Sequence, residues 1–204
     1  MPPTFQIIAL LFLMLGPFKI IGPFVKMTKL VTPKLANQIA LRAILFSILG
    51  VLLASLMGEN ILRNFGIPIP ILSMTGGLIL FLVALSNIIH TYEPPIPKED
   101  ESLPTLKSAL NPLAFPIIVS PYGIAAVIVF MTISPTIQDK LIIGVIVIGI
   151  MALNLIVMML TRYMGKILFL FLSIVGPVLG VVQVALGLMI VYNQLKVMFS
   201  FTGI

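Results

Sequence analysis

Apolar residues run along this chain in six long blocks, each near the roughly 20 residues that a helix needs to cross a bilayer core of about 30 Å. The blocks are Phe5–Val25, Ile39–Met57, Ile69–His90, Leu110–Ile133, Leu141–Leu160 and Ile167–Leu195. Polar joins separate them: "KMTKLVTPKLAN" after the first, "GENILRNFGIP" after the second and "TYEPPIPKEDESLPTLK" after the third. The pattern is apolar all round rather than on one helical stripe, so it predicts spans and not the amphipathic helices of a water-soluble core.

Composition sharpens that reading. Of 204 residues, 60% are hydrophobic and 9% are charged, against roughly a quarter charged in soluble domains. The net charge of +6 is scattered through the joins, with no basic stripe and no aromatic platform, so no nucleic acid partner is expected. The lipid bilayer is the expected partner. The N-terminus lacks a basic region and a small-residue cleavage site, so the first block is expected to stay in the mature protein.

The halves repeat each other. Gln38 opens a span that closes on Arg63 and Gly66, and Gln138 opens one that closes on Arg162 and Gly165. "SMTGGL" at Ser73 is echoed by "SIVGPV" at Ser173, and "LGPFKI" at Leu15 by "VSPYGI" at Val119. Three spans per half is an odd number, so the second half must enter from the opposite side, as in many secondary transporters. The expected architecture is all-α, with six transmembrane helices in two inverted-topology three-helix repeats and breaks in the first and fourth. The repeats take residues 1–92 and 110–204. Residues 93–109, with Glu93, Glu99, Asp100 and Glu101, form an acidic, proline-rich linker.

Lys26, Lys29, Lys34, Lys98, Lys107, Arg162 and Lys166 fall on the side of the odd-to-even connections, against Arg63, Lys140 and Lys196 on the other. That asymmetry predicts a cytoplasmic linker and both termini outside.

Candidate chemistry sits where the spans break. A proline inside a span removes one backbone hydrogen bond and frees a carbonyl, which is tolerable only where protein or water supplies a partner. Gly16, Pro17, Gly22 and Pro23 interrupt the first span, and Pro121 interrupts the fourth. Either proline alone reads as a kink; the matched pair, each between a small residue and an aromatic one, reads as a site. Half-helix ends meeting near the midplane offer amide donors to an anion and carbonyls to Na⁺ or an ammonium group, so an amino acid zwitterion fits. The candidate substrate-binding residues are Gly16, Pro17, Phe18, Lys19, Asn111, Ser120, Pro121, Tyr122 and Gly123.

Lys19 has no mid-span carboxylate partner, and its burial would cost about 3 kcal/mol on insertion scales. Facing the cavity and snorkelling toward Lys26 are both open; with the first half-helix shortened, snorkelling is the expectation. Asn87, Asn154 and Gln183 read as interhelical packing bonds, and Thr75, Gly76, Gly77, Gly176 and Gly180 as close-packing faces. Arg42 reads as an interfacial anchor. With no cysteine, a lone His90 and no mid-span acid, neither enzyme activity nor a metal or other cofactor is expected; Na⁺ or H⁺ is the candidate coupling ion.

"GIPIPILSMTGGLILFLVALSNI", "PLAFPIIVSPYGIAAVIVFM" and "LFLMLGPF" resemble the MarC family, also described as small neutral amino acid transporters, over nearly the whole chain. The resemblance implies a six-span inner-membrane protein of bacteria or archaea, with glycine or alanine as solutes proposed for some members. The chain departs from the family around the first break: many members carry Asp or Asn before the proline and a Gly-Asn pair soon after, where this chain has Gly16 and Lys19-Ile20. The expected function is secondary transport of small neutral solutes. The alternatives are an exporter of another small solute, or a non-transporting scaffold or envelope-stress component. A second copy of the chain is the candidate protein partner.

Overall fold

The computed structural model describes residues 4–91 and 105–201, with side chains described apart from Gln6, Glu59, Arg63, His90, Thr91, residues 162–177 and Phe201. Most of the acidic linker, and Ser173 and Gly176 of the repeat motif, therefore lie outside the described side chains. Among the described residues the secondary structure is helical, without strands. Helices α1 (Thr4–Leu15) and α2 (Phe18–Thr28) together make the first span, followed by α3 (Pro33–Asn64) and α4 (Ile69–Thr91). A 3₁₀ turn (Leu106–Ala109) and a wide coil (Leu110–Ile118) lead into α5 (Pro121–Ile133), and α6 (Ile137–Phe201) completes the chain.

Five helical stretches are long and apolar enough to cross a membrane, and a pair bent by 62°, Leu106–Ile118 with Pro121–Ile133, makes a sixth. This is an integral membrane protein. Its outer surface agrees with that: Leu45, Leu49, Leu52, Leu53 and Leu56 of α3 and Val145, Ile148 and Ile156 of α6 are exposed, a surface suited to lipid tails and insoluble in water.

The breaks follow from local chemistry. After Gly16, Pro17 has no N–H to offer the α1 carbonyl four residues back, and α1 ends. Gly22 and Pro23 behave differently from expectation: α2 runs through Pro23 without interruption. The half-helix starting at Phe18 needs only its own turn-to-turn bonds, begun by Ile20 and Ile21 N–H donating to the Pro17 carbonyl at 3.0 and 3.3 Å. In the fourth span, Asn111 and Phe115 are extended (φ −130°, ψ 122° and φ −129°, ψ 127°) because each precedes a proline, which disfavours the helical region. The linker's expected last residues are ordered: Thr105 caps the turn, accepting from Lys107 N at 3.3 Å while its N–H donates to Ser108 Oγ at 3.1 Å, and Ala109 is buried.

Helix α6 has 65 residues, which would extend roughly 100 Å if straight, about three bilayer cores. Its own contacts rule out a straight course. Asn154 and Gln183, which a straight helix would hold roughly 40 Å apart, donate to the neighbouring Leu15 and Leu13 carbonyls of α1. The chain therefore doubles back, and α6 supplies two crossings, Ile137–Thr161 and Val178–Ser200.

The second crossing pairs with α4 in opposite directions. Gly77 lies against Ile190, Gly187 against Phe81 and Gly180 against Ile88. Glycines on both helices let the backbones approach, as the sequence reading of Gly77 and Gly180 anticipates, while Gly76 lies against Ala125 of α5. Helix α3 runs in the same direction as the fourth span, with Gly50 on the Phe115 ring and Gly58 on Ile128. A continuous core, including Leu11, Leu15, Ile20, Ile39, Leu113, Ile118 and Met151, surrounds the breaks.

Candidate functional site

The C-terminal end of α1 sets the site's chemistry. Gly16 N–H still reaches the Phe12 carbonyl at 2.8 Å, completing the last normal bond. The next three carbonyls, of Leu13, Met14 and Leu15, would be orphaned by the break, and in hydrocarbon each would cost several kcal/mol. Four side chains from elsewhere in the bundle satisfy them. Gln183 Nε2 donates to Leu13 O at 3.1 Å. Lys19 Nζ donates to Met14 O over a short distance, and Ser120 Oγ does so at 3.4 Å. Asn154 Nδ2 donates to Leu15 O at 2.8 Å.

Gly16 is required there: a Cβ at this position would collide with the Phe12 carbonyl oxygen, part of the same helix's backbone. Ser120, which precedes Pro121, is extended (φ −82°, ψ 153°) and makes no cap bond to its own helix. Its hydroxyl instead accepts from Lys19 Nζ at 3.0 Å, tying the two breaks together. The ammonium also lies 5.1 Å from the Tyr122 ring centroid, a cation–π distance. Gly123 brings the start of α5 against Leu15, where a Cβ would come within 2.5 Å of Leu15 Cδ2.

Lys19 thus departs from the snorkelling expectation. Three donors on a flexible stem find a carbonyl, a hydroxyl and a ring face inside the protein, so the ammonium turns toward the break instead of toward Lys26. Of the other sequence candidates, Gly16 and Pro17 are buried at the break, with Ser120, Tyr122 and Gly123 beside them. Phe18 turns to α1 and packs edge-on against Phe12, ring centroids 5.5 Å apart. Pro121 is exposed at the first turn of α5, and Asn111 is exposed in the preceding coil. Asn154 and Gln183, read from sequence as packing bonds, belong to the site. Only their mid-span polarity signalled it, because the carbonyls they reach are 139 and 170 residues away in the chain.

Beside the breaks lies a cavity of about 230 Å³, bounded by Leu10 and Met14 of α1, Ser73, Gly76 and Gly77 of α4, Tyr122 of α5, and Ile190 and Gln194 of α6. Met14 and Tyr122 belong to both the cavity wall and the break. The wall is mainly apolar, with Ser73, Tyr122 and Gln194 as its polar points.

The profile described as "MarC family integral membrane protein" matches residues 1–199. The chain belongs to the MarC family. A UPF0056 membrane protein of Methanocaldococcus jannaschii is 27% identical over 189 residues, 91% of this chain and 92% of its own length. The UPF0056 inner membrane protein YhgN of Escherichia coli is 28% identical, covering 67% of this chain and 68% of its own. A UPF0056 membrane protein of Buchnera aphidicola is 30% identical, covering 59% of this chain and 60% of its own. No solved structure matches the chain.

Proposed function

We propose that this MarC-family protein is a secondary transporter of small neutral solutes, with amino acids such as glycine and alanine as the first solutes to test. Two three-span halves of inverted topology move against each other about the Pro17 and Pro121 breaks. The observation that carries the reading is the meeting of the two breaks through Lys19 and Ser120, next to a cavity whose wall includes Tyr122. The directions of α3 with the fourth span and of α4 with the last crossing agree with one half inverted on the other. The free N–H end of α5, uncapped by Ser120, supports recognition of a carboxylate, and the apolar wall supports a short, uncharged side chain. The basic residues of the odd-to-even connections support a cytoplasmic position for that side and the linker, with both termini outside. The MarC resemblance and a relative named an inner membrane protein support a cell-membrane location.

The test is saturable counterflow of radiolabelled glycine, alanine and other neutral amino acids in proteoliposomes. Wild type should exchange at least one, and Tyr122→Ala and Pro121→Ala should lower the flux. No saturable flux from folded protein, or flux indifferent to both substitutions, overturns the reading.

A non-transporting scaffold has one observation in its favour: the carbonyls freed at the first break are already taken by side chains. The chain contains no cysteine, so Ser73→Cys gives a single label site. Labelling by a membrane-impermeant thiol reagent supports a water-filled path, and protection under all conditions supports the scaffold.

A further inference from the structure

We propose that the end of α1 is a monovalent-cation site that this chain fills with its own Lys19 ammonium, so that solute movement through it does not depend on Na⁺. The consequence for transport rests on the reading above; the cation site rests on geometry alone.

The freed carbonyls of a half-helix C-terminus carry the negative end of the helix dipole, and in a water-poor interior such oxygens hold Na⁺ or an ammonium group. Here the occupant is covalent. Lys19 Nζ has three donors, and its partners are the Met14 carbonyl, Ser120 Oγ at 3.0 Å and the Tyr122 ring face at 5.1 Å. None of the three is a carboxylate, so the charge is held by dipoles and a quadrupole, as a bound cation would be.

A second observation points the same way. Asn154 is completely buried, its Nδ2 is used on Leu15 O, and its Oδ1 has no hydrogen-bond partner. An unpaired buried amide oxygen is costly and uncommon. It belongs to the amide that donates to Leu15 O, so the α1 terminus holds one buried oxygen more than its donors satisfy. Removing the Lys19 side chain would leave Met14 O and Ser120 Oγ to offer a free ion.

The experiment is thermal unfolding of the purified full-length protein in NaCl, methylammonium chloride or choline chloride at equal ionic strength. Wild type should unfold at the same temperature in all three. Lys19→Ala should unfold earlier in choline and recover by several degrees, saturably, in Na⁺ or methylammonium, as binding to the native state requires. Lys19→Ser, which removes the ammonium and keeps a small polar group at the start of α2, is the second variant should Lys19→Ala not be recovered folded, and it should show the same cation response. A Na⁺-specific rise in wild type, or no cation-specific rise in the recovered variant, overturns the proposal. In proteoliposomes, wild-type counterflow should be unchanged by a Na⁺ gradient, and a dependence on Na⁺ overturns the transport consequence. Absence of flux for every neutral amino acid overturns the transporter reading and leaves the unfolding result to decide the cation site.

Discussion

The two breaks share a motif, a small residue, a proline and an aromatic, yet they leave different chemistry behind. At the first, Pro17 follows an established helix, so the break exposes carbonyls, and the protein spends Gln183, Lys19, Ser120 and Asn154 to satisfy them. At the second, the chain arrives extended through the Phe115 and Ser120 backbone, and Pro121 sits at the start of α5. There its missing N–H is one that helix geometry leaves unbonded in any case. The same proline therefore makes a carbonyl-rich end in one span and an amide-rich end in the other. Similarity between the two motifs carries over where the chain bends, while the direction from which a helix reaches the proline decides the charge sign of the end it leaves.

Substitutions at the two ends should separate them. The largest effect is expected for Gly16→Ala, whose Cβ would strike the Phe12 carbonyl within the same helix. Rigid backbone leaves no room to relax, and a loss of more than about 4 kcal/mol, seen as failure to recover folded protein on size exclusion, is expected. The matching change at the second break, Gly123→Ala, meets the movable Leu15 side chain at 2.5 Å and should cost about 1–3 kcal/mol in a detergent unfolding titration. Equal losses at the two positions would erase the distinction between the breaks.

Asn154→Leu strips the donor from the Leu15 carbonyl and should cost about 1–2 kcal/mol, near the top of the range for hydrogen bonds in membrane proteins. Ser120→Ala, at the second break, removes one of the partners of Lys19 and leaves the Met14 carbonyl bonded, so about 0.6 kcal/mol is expected. An Asn154 effect no larger than that of Ser120 would mean the first break is not dependent on its side-chain donors. Leu53→Ala, on the lipid-exposed face of α3, should stay within about 0.5 kcal/mol and gives the baseline for the series.

Much of this was legible along the chain. The blocks beginning at Phe5, Ile39 and Ile69 became the first three spans, because apolar length alone decides whether a helix can cross. The Gly16-Pro17 and Ser120-Pro121 breaks were legible for a similar reason, since a missing N–H is a local property. Pro23 shows the limit of that rule: it carries the same local signal, and α2 runs through it. Ile137–Thr161 contains the expected fifth block, whereas Val178–Ser200 starts well inside the expected sixth, Ile167–Leu195, and runs past its end.

By itself, then, the sequence determined that the chain lives in a membrane, how many apolar blocks it offers and where two of them must break, all consequences of transfer free energy and backbone chemistry at neighbouring residues. Only the tertiary structure decided where Lys19 points and what Asn154 and Gln183 do. Each of those outcomes is set by which orphaned group lies within about 3 Å of a donor, and a distance across helices 100 or more residues apart leaves no trace in local pattern.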